Sequence, residues 1–397
     1  MAFVSGPVSY QRFFLSSRLA GHLTEAMHNA ITARAFGRSG VLSDDTQIGW
    51  IGPRHVLDTE ISGEDIAFGS FLHLGLRVDR LRIPSNILKA YIRQEEDAVK
   101  ANTGREFLSK GERKKAREAA LLRAEQEARD GSFRRTSAYP VLIDLANKRA
   151  FLASGSTGLA DKFIKLCNDT FGHSPEPATP ESVARRIMAG SRNPAAIDHV
   201  TAMRLVKPPD GFDADRAGGS FSGGDLSFLG KEMLTWIWHQ SDANEGRLAV
   251  STGDEVSVMI DRSLRLRCDF GMTGAVTISA DGPTGLPEAR AALAIGKQPV
   301  KAGIILGARS GEFRFSLDAT RFVISGLTLP EETGDQDPRA RVEARFELIG
   351  ESADLLDALY QAFLEVRIAS DWSKKQRELA RWAAGKAESD AALRIAT

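Results

Sequence analysis

The stretch from Lys110 to Arg129, KGERKKAREAALLRAEQEAR, constrains the fold more than any other part of the chain. Its apolar face is thin, built from Ala116, Ala119, Ala120, Leu121, Leu122 and Ala124. Ser109 is followed at the third position by Glu112. That is the spacing of a capping box, in which a hydroxyl and a carboxylate satisfy N–H groups at the start of a helix. A helix with so little apolar surface cannot form the centre of a core. Residues 86–103 are also of helical composition, and Pro84-Ser85 marks their start. Residues 86–130 are therefore expected to form a long charged helical region, interrupted at Asn102-Thr103-Gly104 and near Gly111, with the core elsewhere.

The rest of the chain can supply that core. Of 397 residues, 42% are hydrophobic and 26% charged, a globular balance. The length implies two or three domains, since single cores rarely grow past about 250 residues. Residues 8–15 read as a strand. Residues 19–36 read as a helix, with Leu19, Leu23, Ala26, Met27, Ala30, Ile31 and Ala33 at helical spacing. Ile48-Gly49-Trp50-Ile51-Gly52-Pro53 is punctuated by glycine and proline around a packing tryptophan. Phe71, Leu72, Leu74, Leu76 and Val78 mark a strand, and residues 139–145 and 150–153 a hairpin. Helices are expected at 158–171, 180–189 and 228–238, the last strongly apolar. Strands follow at 256–260, 263–270, 275–280, 299–308, 312–317, 322–327 and 341–348, with helices at 287–295, 353–370 and 372–386.

The class is α+β, with mixed antiparallel sheets, helices and several domains. Its parts are an N-terminal α+β region (1–85), a charged helical region (86–135) and a central α+β region (136–207). A glycine-rich loop with an apolar tryptophan helix (208–254), a C-terminal α+β domain (255–370) and a basic helical tail (371–397) complete it.

Motifs for catalysis are missing. No run approaches the roughly 18 apolar residues of a membrane span, and the start carries no secretory pattern. Cys167 and Cys268 are far apart in apolar-leaning contexts, which suits buried thiols in a reducing compartment. The histidines form no metal-ligand spacing and there is no C-x-x-C. Ser154-Gly155-Ser156-Thr157-Gly158 sits between a strand and a helix, but it lacks the lysine of a phosphate loop and reads as a turn with an N-cap. Adjacent acids such as Asp44/Asp45 and Glu95/Glu96 read as solvated surface. No cofactor and no metal are expected.

Charge is the remaining signal. Lys+Arg and Asp+Glu both number 52, so any polyanion-binding surface requires segregation of the bases. From Lys110 to Arg135 the basic residues outnumber the acidic ones. Lys110, Arg113, Lys114 and Arg117 fall on one helical side, Lys115 lies beside them, and Lys89, Arg93, Lys100 and Arg105 add to the region. Such a stripe suits the phosphate backbone, giving salt-dependent, sequence-blind binding. It equally suits a solvated helix laced with ion pairs. Arg262, Arg265, Arg267, Lys297 and Lys301 could line a further groove.

The order of segments over nearly the full length resembles the recombination-associated RdgC family. The likeness includes Arg34-Ala35-Phe36, Ile48-Gly49-Trp50-Ile51-Gly52-Pro53, Leu81-Arg82-Ile83-Pro84-Ser85 before the charged helix, and the hairpin over 141–153. It continues through 291–296, 297–306, 312–317 and 322–327, and closes with 344–348 and 355–364. The block 228–238, the 208–224 loop and the tail are extra material, as in a longer branch. The resemblance implies a horseshoe-like protomer closing into a homodimeric ring around double-stranded DNA, in the cytoplasm at the nucleoid. It also implies a functional link to RecA, no enzymatic turnover and no membrane. The DNA-facing candidates are Lys89, Arg93, Lys100, Arg105, Lys110, Arg113, Lys114, Lys115, Arg117, Lys297 and Lys301. Two other readings compete. One is a protein-interaction scaffold anchored by Trp236, Trp238 and Trp372, whose alternative role is core packing. The other is a metal-dependent nuclease built from distant acids.

Overall fold

The computed structural model describes residues 3–38, 41–43, 46–191, 193–206, 226–250, 255–268, 270, 273–331 and 337–385. The 208–224 loop, Asp44, Asp45 and the tail beyond 385 lie outside the described residues. The chain runs β1 (Val8–Phe14), α1 (Glu25–Ala33), β2 (Val41–Ser43), β3 (Thr46–Ile51), the short α2 (Gly63–Ile66), β4 (Ala67–Phe68), β5 (Phe71–Leu81), α3 (Ser85–Thr103), α4 (Lys110–Arg129), β6 (Arg134–Asp144), β7 (Arg149–Leu152) and α5 (Thr157–Phe171). It continues β8 (Glu176–Pro177), α6 (Pro180–Ala189), α7 (Phe228–Asn244), β9 (Arg247–Ala249), β10 (Glu255–Cys268), β11 (Val276–Ala280), α8 (Pro287–Ala294), β12 (Lys297–Ala308), β13 (Gly311–Asp318), β14 (Val323–Thr328), α9 (Pro338–Arg367) and α10 (Trp372–Ala384). The fold is mixed α+β with antiparallel sheets, in agreement with the class the patterns imply.

The strands follow one path, β11-β10-β12-β13-β14-β1-β7-β6-β5-β3-β2. The first strand is its hinge. Val8 and Tyr10 pair with β14, and Gln11 to Phe14 pair with β7. The N-terminal strand thus joins two lobes that the chain builds at opposite ends. In the N-terminal lobe, α1 and α5 cover one face of the sheet through Met27, Ile31, Leu159 and Phe163, around a fully buried Trp50. In the C-terminal lobe, α7 and α9 pack on the inner sheet face through residues such as Met233, Ile237, Tyr360 and Phe363.

Helix α9 ties the lobes together and corrects the expected strand at 341–348. Val342, Phe346 and Leu348 fall at alternate positions, which imitates a half-buried strand. Asp337 instead caps the helix by accepting from Arg339 N–H, Pro338 opens it, and it runs unbroken to Arg367. Its first half places Phe346 against Phe71 and His73 of the N-terminal lobe, and its second half places Phe363 against Trp236. Ion pairs of two buried arginines lock the same join: Arg12 donates to Asp357 at 2.5 and 2.7 Å, and Arg149 sits between the buried Asp144 at 2.8 Å and the exposed Asp354 at 2.5 Å.

Smaller differences have local causes. The first helix begins only at Glu25, because Thr24 caps it through Met27 N–H. The two strands expected at 256–260 and 263–270 are one strand with an irregularity between Ile260 and Leu264, where Arg262 takes a left-handed φ of 61°. Helix α7 is buried on every side from Phe228 to Trp238. Trp236 and Trp238 are therefore both interior, although two residues apart. Gly230 permits this, since a Cβ there would lie 1.8 Å from Ala319 O. Trp372 packs partly buried against the same core, under Arg367 at 4.4 Å.

Candidate nucleic-acid interface

The charged helical region is a two-helix arm grown from a β-ladder. Strands β5 and β6 stay in register from Phe71 opposite Asp144 to Leu81 opposite Arg134. Helices α3 and α4 leave from those ends. Helix α3 closes at Gly104, whose φ of 64° is left-handed and favours glycine. Ser109 and Glu112 form the capping box in both directions: Glu112 N–H donates to Ser109 Oγ at 3.2 Å and Ser109 N–H donates to Glu112 Oε2 at 2.8 Å. Those bonds hold the Glu112 carboxyl below its ordinary range. Gly111 sits inside the first turn and does not interrupt the helix.

Ala116, Ala120, Ala124 and Ala128 are buried at every fourth position, so they form one seam. Small side chains there let α3 and α4 approach closely. Arg123 completes the join, lying 4.3 Å over the Tyr91 ring and donating to Gln94 Oε1 at 3.1 Å. Tyr91 Oη donates to Glu127 Oε2 at 2.5 Å. No residue of α3 is fully buried. At 1.5 Å per residue each helix is about 30 Å long, so the arm displays a long solvated surface.

The bases sit on that surface. Lys89, Arg93, Lys110, Arg113, Lys115 and Arg117 are exposed and form no salt bridge among the described residues. Lys100 pairs with Asp97 at 3.4 Å, Arg105 with Glu112 at 3.9 Å and Lys114 with Glu118 at 3.7 Å. Exposed pairs of this kind contribute at most about 1 kcal/mol, so phosphate can replace the carboxylate. The arm also exposes Phe107, Leu121 and Leu122, the first 76% accessible.

A second surface is the outer face of the C-terminal sheet. Lys301 lies opposite Arg265 on β10 and Asp318 on β13. Arg265, Arg267 and Met259 are exposed, and Gly303 and Gly307 leave room for the close approach of Asp261 and Ser257 of β10. Lys297 belongs elsewhere. It is 5% exposed and donates through Nζ to Gly274 O at 2.8 Å, so its ammonium serves the interior and offers nothing to a groove. Alternation along β12 could not reveal this, because the start of the strand is buried on both faces.

Among the described residues no group of three or more His, Cys, Asp or Glu is placed to hold a metal ion, and no helix is long and apolar enough to cross a membrane. Both cysteines are buried, and burial pushes the Cys167 thiol well up. A cleft of about 650 Å³ is lined by Arg149, Glu347, Glu351 and Asp354 among others, and its arginine is already engaged by Asp144 and Asp354. No family model matches this chain, and no curated protein matches it.

Proposed function

We propose that the chain binds double-stranded DNA without sequence preference and without catalytic turnover. It acts as a homodimer that closes into a ring around the duplex and modulates RecA-dependent recombination at the nucleoid. The observation that carries the reading is the α3–α4 arm, whose bases project into solvent with Lys89, Arg93, Lys110, Arg113, Lys115 and Arg117 free of salt bridges among the described residues. Lys301, with Arg265 and Arg267, adds a second basic surface. A duplex would meet backbone-directed charge at both. Exposed Phe107, Leu121 and Leu122 give a second copy an apolar surface to cover.

Fluorescence anisotropy with duplexes of unrelated sequence across a salt series tests the reading. Affinity should fall linearly on logarithmic axes as salt rises. R113E/K114E/R117E should weaken every duplex alike, and sedimentation should give a dimer. Absence of binding at low salt, or a loss confined to one sequence, defeats the proposal. The same exposed apolar residues favour a second reading, a protein-interaction scaffold. Its test is retention of a protein partner with no retardation of DNA.

A further inference from the structure

The β5–β6 ladder assembles arginines that the sequence keeps far apart. Arg80 lies directly opposite Arg135, and Leu81 opposite Arg134. Arg82 N–H extends the ladder by donating to Phe133 O at 3.2 Å. Side chains alternate along strands, so Arg80 and Arg135 share one face while Arg134 takes the other. On the far side of Arg80, β3 sets Thr46 directly opposite. Ser137, opposite Val78, is the next position on the Arg80 face of β6.

Cross-strand neighbours hold their Cβ atoms about 5 Å apart, and like charges so placed are destabilising. A carboxylate would relieve the repulsion, but among the described residues none pairs with these arginines. Arg80, Arg82, Arg134 and Arg135 are all exposed, and none forms a salt bridge among the described residues. The neighbouring acid, Asp79, is buried and held by Arg77 at 2.9 Å. The result is a set of guanidinium and hydroxyl donors with no carboxylate paired to the arginines among the described residues. Planar guanidinium groups match phosphate oxygens in pairs, which a lysine does not reproduce.

We propose that Arg80 and Arg135, flanked by Arg82 and Thr46, form a phosphate-binding station at the root of the α3–α4 arm, taking phosphodiester oxygens of the nucleic-acid backbone. It rests on the DNA-binding reading and deepens it, because it carries the contact from the arm onto the sheet that bears it. Phosphate would supply the missing acceptor and remove the repulsion between the two arginines.

The test is R80Q/R135Q in the full chain. Glutamine keeps a polar, hydrogen-bonding side chain, shorter than arginine's, while removing both charges, and the sites are exposed, so circular dichroism should be unchanged. Each phosphate contact contributes about 0.9 to the slope of log affinity against log salt. The double variant should therefore lose about two units of slope, and R80K/R135K, which restores the charge but not the paired geometry, should recover the slope while binding more weakly than the wild type. A wild-type chain that binds duplex while R80Q/R135Q keeps the same slope overturns the station and leaves the arm reading standing. No duplex binding by the wild type at low salt overturns both. Inorganic phosphate at matched ionic strength separates the sources. If it raises the melting temperature of the wild type but not of R80Q/R135Q, while both bind duplex equally, the site serves free phosphate and the backbone assignment fails.

Discussion

Helices α4 and α7 are of similar length, 20 and 17 residues, and are held in opposite ways. Helix α7 is surrounded: every side chain from Phe228 to Trp238 is buried, including Lys231 and Glu232. Glu232 accepts from Arg367 Nε at 2.6 Å and from Met203 N–H at 2.5 Å. Helix α4 touches its partner along an alanine seam and is otherwise solvated. Burial in a continuous core stabilises one, and a cap, a seam and one arginine clamp stabilise the other. The arm can therefore carry charge along its length, and it should open independently of the core.

The largest expected effect tests the core side of that contrast. Trp238 is fully buried and stacks edge-on with Trp382 at 5.6 Å. Trp238→Ala should cost about 3–5 kcal/mol, read as a lower urea midpoint, while the arm's amide protection at low urea stays as in the wild type. Equal loss of protection in both regions would show that arm and core unfold as one unit.

Next comes a pH effect confined to the core. His73 is 2% exposed, packed between Phe3 and Phe346, and burial lowers its pKa from 6.5 to about 4. The unfolded chain takes up this proton first as pH falls. Stability is therefore complete above pH 6.5, declines as pH drops through 6.5, and reaches its full loss below about 4. The shift corresponds to roughly 3 kcal/mol at most. His73→Phe should flatten this part of the pH profile measured by urea unfolding.

A smaller effect belongs to the arm. Ala120→Leu puts a bulky side chain into the α3–α4 seam, where Ala120 is fully buried. It should cost about 1–3 kcal/mol by overpacking, seen as faster amide exchange in α3 and α4 with an unchanged core. If the core loses stability equally, the arm is not an independent unit.

These contrasts differ in how much of them the sequence discloses. The arm was legible because its signals are local: Ser109 and Glu112 three apart, Gly104 at the break, and alanines on one side. The class was legible from patterns of period two and near four. Two kinds of feature were not. Residues 341–348 alternate like a strand, and only Asp337 and Pro338 ahead of them mark a helix start. The pairing of Arg80 with Arg135, and the sharing of β1 between lobes, depend on ladder register between distant segments. Lys297 was misplaced for the same reason. Its neighbours on β10 and its acceptor, Gly274, decide its burial, and nothing beside it in sequence does.

The smallest effect separates arm from core most sharply. Ser109→Ala removes the hydroxyl that accepts from Glu112 N–H, a change worth about 1 kcal/mol at a helix N-cap. Only the first turn of α4 should fray. The cap also has its own pH window. The Glu112 carboxyl is held below its ordinary value of 4.5 mainly by its bonds to Ser109. The contribution is present above the unfolded value and lost as pH falls through the lower folded one. Between pH 6.5 and 4.5 the core should therefore weaken through His73 while the arm's cap stays intact. Amide protection at the start of α4, taken relative to the intrinsic exchange rate at each pH, should stay flat across that interval in the wild type, and below it should fall less steeply in Ser109→Ala. Exchange in α4 that instead follows the His73 titration would mean that the arm draws its stability from the core.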